Sequence, residues 1–225
     1  MIICIDVGNT RTKVAVYENG TLQQLVITNN EKLIKNISKQ IQGIENCVDI
    51  ILSSVGNLPF EVIENLKKLG NLIIVTHQSP IPFKNLYATP ATLGIDRIVL
   101  AAGATLKYPN QSRLVIDAGT CLTYDFINKQ DQYHGGAISP GIGLRYKSLN
   151  DYTANLPLEK ISELHSFVGN STSASIQSGV LNGVIAEIEA FIDHFKHQDE
   201  NLTVILTGGN SEFLVNRLKN SIFAN

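Results

Sequence analysis

The first seven residues are almost wholly apolar, and the run breaks at Gly8-Asn9. β-rich residues resume over 13–17 and 21–28, with Glu18-Asn19-Gly20 between them. This pattern predicts three strands joined by tight connections. In 31–42, Leu33, Ile34, Ile37 and Ile41 recur on one face, the spacing of an amphipathic helix. Residues 48–55 form another apolar run. Residues 59–69 read as a helix with a proline at its start and Gly70 just past its end, followed by a fifth strand over 72–76. The order is β-β-β-α-β-α-β.

The order then starts again. Strands are predicted over 114–118, 121–127 and 132–139, a long helix over 172–197, a strand over 202–206 and a short helix over 212–218. Ile5-Asp6-Val7-Gly8 lies on Ile116-Asp117-Ala118-Gly119 without a gap, and Thr12 then falls on Thr123. Element order and motif agree, so the chain reads as two copies of one α/β lobe, 1–112 and 113–225. By analogy with the first lobe, the second lacks its last strand and helix. Residues 202–206 are therefore expected to exchange their amides faster than 72–76.

Candidate chemistry sits at the strand ends. Asp6-Val7-Gly8-Asn9-Thr10 delivers a carboxylate to the end of a strand and follows it with a glycine that lets backbone approach a phosphate. Thr10 and Thr12 offer hydroxyls, Lys13 offers charge, and Asp6 can hold Mg²⁺ through water. The alternative is an ordinary hairpin turn. Asp117-Ala118-Gly119-Thr120 repeats the pattern, and two such loops facing each other would make a cleft. Thr207-Gly208-Gly209 leaves room for a flat ligand. Gly94-Ile95-Asp96-Arg97 opens an alanine-rich helix over 97–106, where Asp96 is a base or a plain N-cap. Arg97 opposes the helix dipole there, which hints at a functional arginine. Gly135 through Gly143 is a run of small residues suited to a pocket wall or a close interface. His194 and His197 read as a helix end rather than a metal site.

Composition narrows the classes. Of 225 residues, 44% are apolar and 17% charged, a globular balance. A net charge of -2 gives no reason to expect nucleic acid or an anionic membrane as partner. Cys4, Cys47 and Cys121 lie far apart, unlike a disulfide framework or zinc site. No apolar run approaches the roughly 20 residues of a membrane helix. The opening run has no basic flank, so no secretory signal is expected.

Taken together, Asp6-Val7-Gly8-Asn9-Thr10, Gly94-Ile95-Asp96-Arg97, Asp117-Ala118-Gly119-Thr120, Gly135-Gly136-Ala137-Ile138-Ser139-Pro140-Gly141 and Thr207-Gly208-Gly209 resemble the type III pantothenate kinases. These belong to the superfamily of acetate and sugar kinases, heat-shock 70 proteins and actin. The resemblance implies two ribonuclease H-like lobes with mixed five-stranded sheets, flanking helices and an ATP cleft between them. It implies ATP-dependent phosphorylation of pantothenate. Asp6, Val7, Gly8, Asn9, Thr10, Arg11, Thr12, Lys13 and Thr120 would bind ATP. Asp96 would be the base. Tyr87, Gly94, Ile95, Asp96, Arg97 and Thr172 would bind pantothenate. Asp117 would hold a monovalent cation, K⁺ or NH₄⁺, beside the Mg²⁺ at Asp6. A cytoplasmic homodimer is implied, with the substrate site partly built at the dimer interface. Two positions depart from the family: Asn210 stands where an acidic residue is usual, and the further strand and helix after 212–218 are missing. A non-catalytic nucleotide-binding regulator on the same fold is the rival reading, and it would be expected to have lost Asp6, Asp96 or Asp117.

Overall fold

A computed structural model of the chain describes residues 1–8, 11–28, 48–56, 58–163, 166–219 and 223–224. The helix expected over 31–42, Cys47 and the ATP-loop residues Asn9 and Thr10 lie outside these. Packing divides the chain into two compact units, Met1–Ile81 with Thr89–Val99 and Pro82–Ala88 with Leu100–Asn225. Residues 82–88 and 100–112, assigned to the first lobe on sequence, thus group with the second.

In the first unit, strands β1 (Ile2–Val7), β2 (Thr12–Glu18), β3 (Thr21–Thr28), β4 (Asp49–Ser54) and β5 (Asn71–Ile74) form one sheet, in the order β3-β2-β1-β4-β5. β1–β2 and β2–β3 are antiparallel, whereas β1–β4 and β4–β5 are parallel. Helix α1 (Phe60–Leu69) supplies the β4–β5 crossover. Period-2 alternation turns Ile3, Ile5 and Val7 inward with Val14, Val16, Ile50 and Leu52, and Leu66 of α1 caps this core.

Helix α2 (Ile95–Lys107) begins in the first unit and ends in the second. The second sheet contains β6 (Lys84–Asn85), β7 (Arg113–Ala118), β8 (Cys121–Ile127), β9 (Gln132–Pro140), β10 (Thr203–Thr207) and β11 (Phe223–Ala224). Its order is β11-β10-β7-β8-β9-β6. Read from β9 to β11, order and strand sense repeat the first sheet, with β7–β8 and β8–β9 antiparallel and β7–β10 and β10–β11 parallel. Both units are therefore the ribonuclease H-like arrangement expected.

Three expectations need correction. The second sheet has six strands rather than five, because β6 adds alongside β9. A last strand is present: Phe223 and Ala224 pair with Ile205 and Leu206, in the place β5 holds in the first sheet. The segment 202–206 is consequently the counterpart of central β4, not of edge β5, so the expected order of amide protection is reversed.

Helix α3 (Ile142–Asp151), unforeseen after the small-residue run, buries only Ile142 and Tyr146. The long helix α4 (Thr172–Gln198) starts at Ser171, whose hydroxyl accepts from the Ala174 amide at 3.2 Å. It lays Ile176, Val180, Val184, Ile188 and Ile192, four residues apart, over Leu114, Ile116, Leu122 and Tyr124. A short helix α5 (Ser211–Val215) follows β10.

Candidate functional site

One parallel neighbour and a hairpin partner set the first acidic position. Register puts Asp6 beside Lys13 of β2 and Ser53 of β4. The Ser53 hydroxyl donates to Asp6 Oδ1 at 3.3 Å. Burial pushes the Asp6 carboxyl above its ordinary pKa, Lys13 and Ser53 oppose that rise, and the Asp96 charge adds to it. Asp6 and Asp96 are thus near enough in the first unit to feel each other. The Gly8 amide donates to the Arg11 carbonyl at 3.0 Å and closes the turn. Arg11 and Lys13 are exposed. Thr12 is buried and pairs with Val7 across the hairpin.

Asp96 lies in the first turn of α2. Its Oδ1 accepts from the Arg97 amide at 2.8 Å. A Cβ at Gly94 would come within 2.4 Å of that oxygen, so glycine makes room for the carboxylate. His77 Nε2 lies 2.8 Å from the Leu93 carbonyl and ties down the approach to the helix. Arg97 is buried, and Ile95 is partly so.

In the second unit Asp117 holds the position of Asp6, but its lateral neighbours are Thr123 and Thr207. The Gly119 amide donates to the Cys121 carbonyl at 3.0 Å, and Thr120 stands exposed at the tip. This hairpin is one residue shorter than the first, so Thr123 corresponds to Lys13 rather than to Thr12. After β10 the chain bends at Gly208, with φ 95°. A Cβ there would lie 2.3 Å from Asp117 Oδ1 and 2.6 Å from Ala118 backbone. Only glycine combines that dihedral with that approach.

The other expected substrate residues have different surroundings. Tyr87 tilts against Tyr133 at 6.2 Å between centroids, and the Tyr133 hydroxyl donates to the buried carboxylate of Asp125 at 2.5 Å. Thr172 lines a cavity of about 900 Å³ with Arg145, Leu149, Leu156, Ser175 and Ile176 among others, and Tyr87 is not part of its wall.

One group escaped the sequence reading. Glu187 of α4 accepts hydrogen bonds from Ser139, Arg145 and, at 2.9 Å, Tyr124. Burial acts to raise its pKa, but the bonds from Ser139, Arg145 and Tyr124 outweigh it and hold the carboxyl below the ordinary range. The available signal was a glutamate three residues after Val184, inside the apolar stripe.

Comparison with known proteins follows the same lines. The family model for type III pantothenate kinase matches residues 2–194. The type III pantothenate kinase of Flavobacterium johnsoniae is 51% identical over 225 residues, covering 100% of this chain and 92% of its own. That of Cytophaga hutchinsonii is 39% identical, covering 99% and 92%. Among solved structures, a Baf family transcriptional activator from Campylobacter jejuni superposes with a TM-score of 0.59 at 24% identity, covering 98% of this chain and 90% of that one. The ethanolamine utilization protein EutJ from Carboxydothermus hydrogenoformans gives 0.51 at 13% identity, covering 99% and 83%. At these identities the structures speak for the fold alone.

Proposed function

We propose that this chain, which belongs to the type III pantothenate kinase family, transfers the γ-phosphoryl group of ATP to the hydroxyl of pantothenate. The product is 4'-phosphopantothenate, and the reaction opens coenzyme A synthesis. Within the chain, the observation that carries the reading is the Asp96 carboxylate. It is held by the Arg97 amide in the first turn of α2, with Gly94 cleared beneath it and Asp6 within electrostatic reach.

The pantothenate oxygen attacks the γ-phosphorus in line as the bond to the β-bridging oxygen breaks, and ADP leaves with that electron pair. The hydroxyl proton passes to Asp96. An alcohol is too weak an acid to ionise beforehand, so the transfer is late, and most of the acceleration comes from positioning and charge. Gly8, Arg11 and Lys13, with Val7, Asn9 and Thr10, hold the phosphates, and Thr120 contacts ATP. Tyr87, Gly94, Ile95 and Arg97 bind pantothenate.

Asp6 suits Mg²⁺: it is a hard oxygen donor at a strand end, hydrogen-bonded on one oxygen only by Ser53 among the contacts described. Bound there through water, Mg²⁺ would neutralise phosphate charge. Asp117, flanked by two threonines where Asp6 has a lysine, suits K⁺ or NH₄⁺.

The active form is a cytoplasmic homodimer. Phe167, Val168 and Tyr152 are 84%, 79% and 88% exposed in a single copy, which is unusual for large apolar groups close in sequence. A partner would cover them over at least roughly 1,000 Å². Thr172 would then serve the substrate of its neighbour. Light scattering should give twice the chain mass at micromolar concentration, and a monomer there would remove this element. No described helix is long and apolar enough to cross a membrane.

Coupled ADP release with pantothenate, ATP, Mg²⁺ and K⁺ tests the whole reading. Turnover that requires pantothenate supports it. Nucleotide binding without pantothenate-dependent turnover would favour the regulator, against which stand Asp6, Asp96 and Asp117, all present.

A further inference from the structure

We propose that Arg145 and Glu187 are positioning residues for the Gly119-Thr120 turn, acting through the end of β9. Four contacts build the connection. Arg145 Nη2 donates to Glu187 Oε2, and Arg145 Nε donates to the Pro140 carbonyl at 2.8 Å. The Ser139 hydroxyl donates to the same glutamate, and Tyr124 completes its shell. Two hydroxyls and a guanidinium thus hold one carboxylate, and through it the last two residues of β9, against α4.

Those residues carry the turn. Pro140 pairs with Cys121 across the sheet, and the Gly141 amide donates to the Thr120 carbonyl at 3.0 Å. A Cβ on Gly141 would lie 2.4 Å from the Gly119 carbonyl and 2.5 Å from that of Thr120. Backbone here rests on backbone with no side chain between, so a shift of 140–141 is passed to the turn undamped.

Exposed ion pairs contribute little, but this one is different in kind. The Arg145 and Glu187 side chains are 22% and 23% exposed, and the guanidinium spans two acceptors at fixed geometry. Misplacing a ligand-binding group by about 1 Å can cost on the order of 10²-fold in rate. Holding Thr120 in place is therefore the use of a network that touches no reacting atom. The kinetic half of the proposal rests on the reading that Thr120 contacts ATP.

The test compares Arg145→Met, Arg145→Lys and Glu187→Gln with the unaltered protein, using amide exchange at Gly141 and KM for each substrate. For Arg145→Met the Gly141 amide should exchange at least about tenfold faster. For Glu187→Gln, whose side chain lies outside the wall of the Thr172 cavity, KM for ATP should rise by about tenfold while KM for pantothenate stays within about twofold. Arg145→Lys keeps the charge but not the two-acceptor span and should fall between. A merely structural role would lower melting temperature without separating the two KM values. Unchanged Gly141 exchange in a folded Arg145→Met protein overturns the brace. Faster exchange with unchanged KM for ATP upholds the brace and removes Thr120 from the nucleotide site. Should the methionine variant not fold, Ser139→Ala removes one donor and should move both readouts less, in the same direction; no movement overturns the brace.

Discussion

Asp6 and Asp117 end equivalent strands of two copies of one sheet, yet their surroundings diverge. Asp6 has Lys13 on one side and Ser53 on the other; Asp117 has Thr123 and Thr207. The first hairpin carries one residue more, which is what brings a lysine rather than a threonine into line. Past the parallel neighbour the chains also part. The Val55 amide follows straight on to the Val7 carbonyl, whereas the second unit bends at Gly208 and sends the Asn210 amide to Ala118. A duplicated scaffold has thus been differentiated by one inserted residue and one glycine bend. One copy gains a carboxylate beside a cation, the other a carboxylate among hydroxyls, and the two invite different ligands.

The largest expected effect falls on the residue that only the first unit's chemistry uses. Asp96→Asn should lower turnover by roughly 10²–10⁴-fold with nucleotide affinity nearly unchanged. Steady-state kinetics beside ATP titration would measure it, and near-normal turnover would take Asp96 out of the mechanism. Next comes the cation. If Asp117 holds K⁺, exchanging K⁺ for Na⁺ or Li⁺ at constant ionic strength should slow turnover, and Asp117→Asn should make the three salts equal. Equal rates in the unaltered enzyme would mean that the two aspartates differ in neighbours but not in ligand.

The bend itself can be tested by exchanging its residues. Ser54 and Gly208 occupy matching places, one after the strand residue beside each aspartate. Gly208→Ser forces a side chain into φ 95° and against Asp117 Oδ1, and should destabilise by about 1–3 kcal/mol or more. Ser54→Gly should cost about 0.5–1 kcal/mol at most. Thermal melts of the two would show the asymmetry, and equal losses would mean that the bend carries no strain of its own.

How much of this was legible follows from the length and period of each signal. Strands with two or three inward residues, such as Ile3, Ile5 and Val7, announce themselves by alternation, and α4 does so by five apolar residues at four-residue spacing. Helix α3 does not, because its buried face is only Ile142 and Tyr146 and its start looks like a glycine turn. β6 and β11 have two residues each and owe their existence to β9 and β10, so no local pattern encodes them. The strand-end aspartates were found because glycine and hydroxyl residues cluster after them. The extra residue in the first hairpin was hidden by a gapless alignment that put Thr12, a core residue, where Lys13 belongs. The Arg145–Glu187 pair was out of reach because its partners are 42 residues apart and meet only in three dimensions.

The corrected topology sharpens the comparison in a further way. β10 is buried along its length and paired on both sides, whereas β5 is an edge strand with Ile73 and Ile74 about half exposed. Amides of Val204–Leu206 should therefore exchange more slowly than those of β5, by about tenfold or more, since local opening of an edge costs less. Faster exchange in β10 would mean that the β11 pairing does not persist in solution.

The smallest expected effect separates the buried carboxylates by sign. Burial raises the Asp6 pKa in the protein without nucleotide or metal, so the folded state binds a proton more tightly than the unfolded one. Its contribution to stability is then largest at low pH and declines as pH rises from about 4, the unfolded carboxylate value, through the raised folded value. Glu187 is the reverse case. Hydrogen bonds from Ser139, Arg145 and Tyr124 outweigh burial and hold its pKa down, so its contribution is full above about 4 and is lost as pH falls through the lower folded value. At pH 7, Asp6→Asn should accordingly raise the melting temperature by on the order of a degree or two while abolishing activity. Glu187→Gln should lower it. The Asp6→Asn difference should shrink as pH falls through the raised Asp6 value, whereas the Glu187→Gln difference should shrink only below about 4, as pH falls towards the lowered Glu187 value. Melts of the two variants across pH 3–8 read this directly. Shifts of the same sign at pH 7 would show that the environments of these two acids, one strained by burial and one satisfied by donors, are not as different as their neighbours imply.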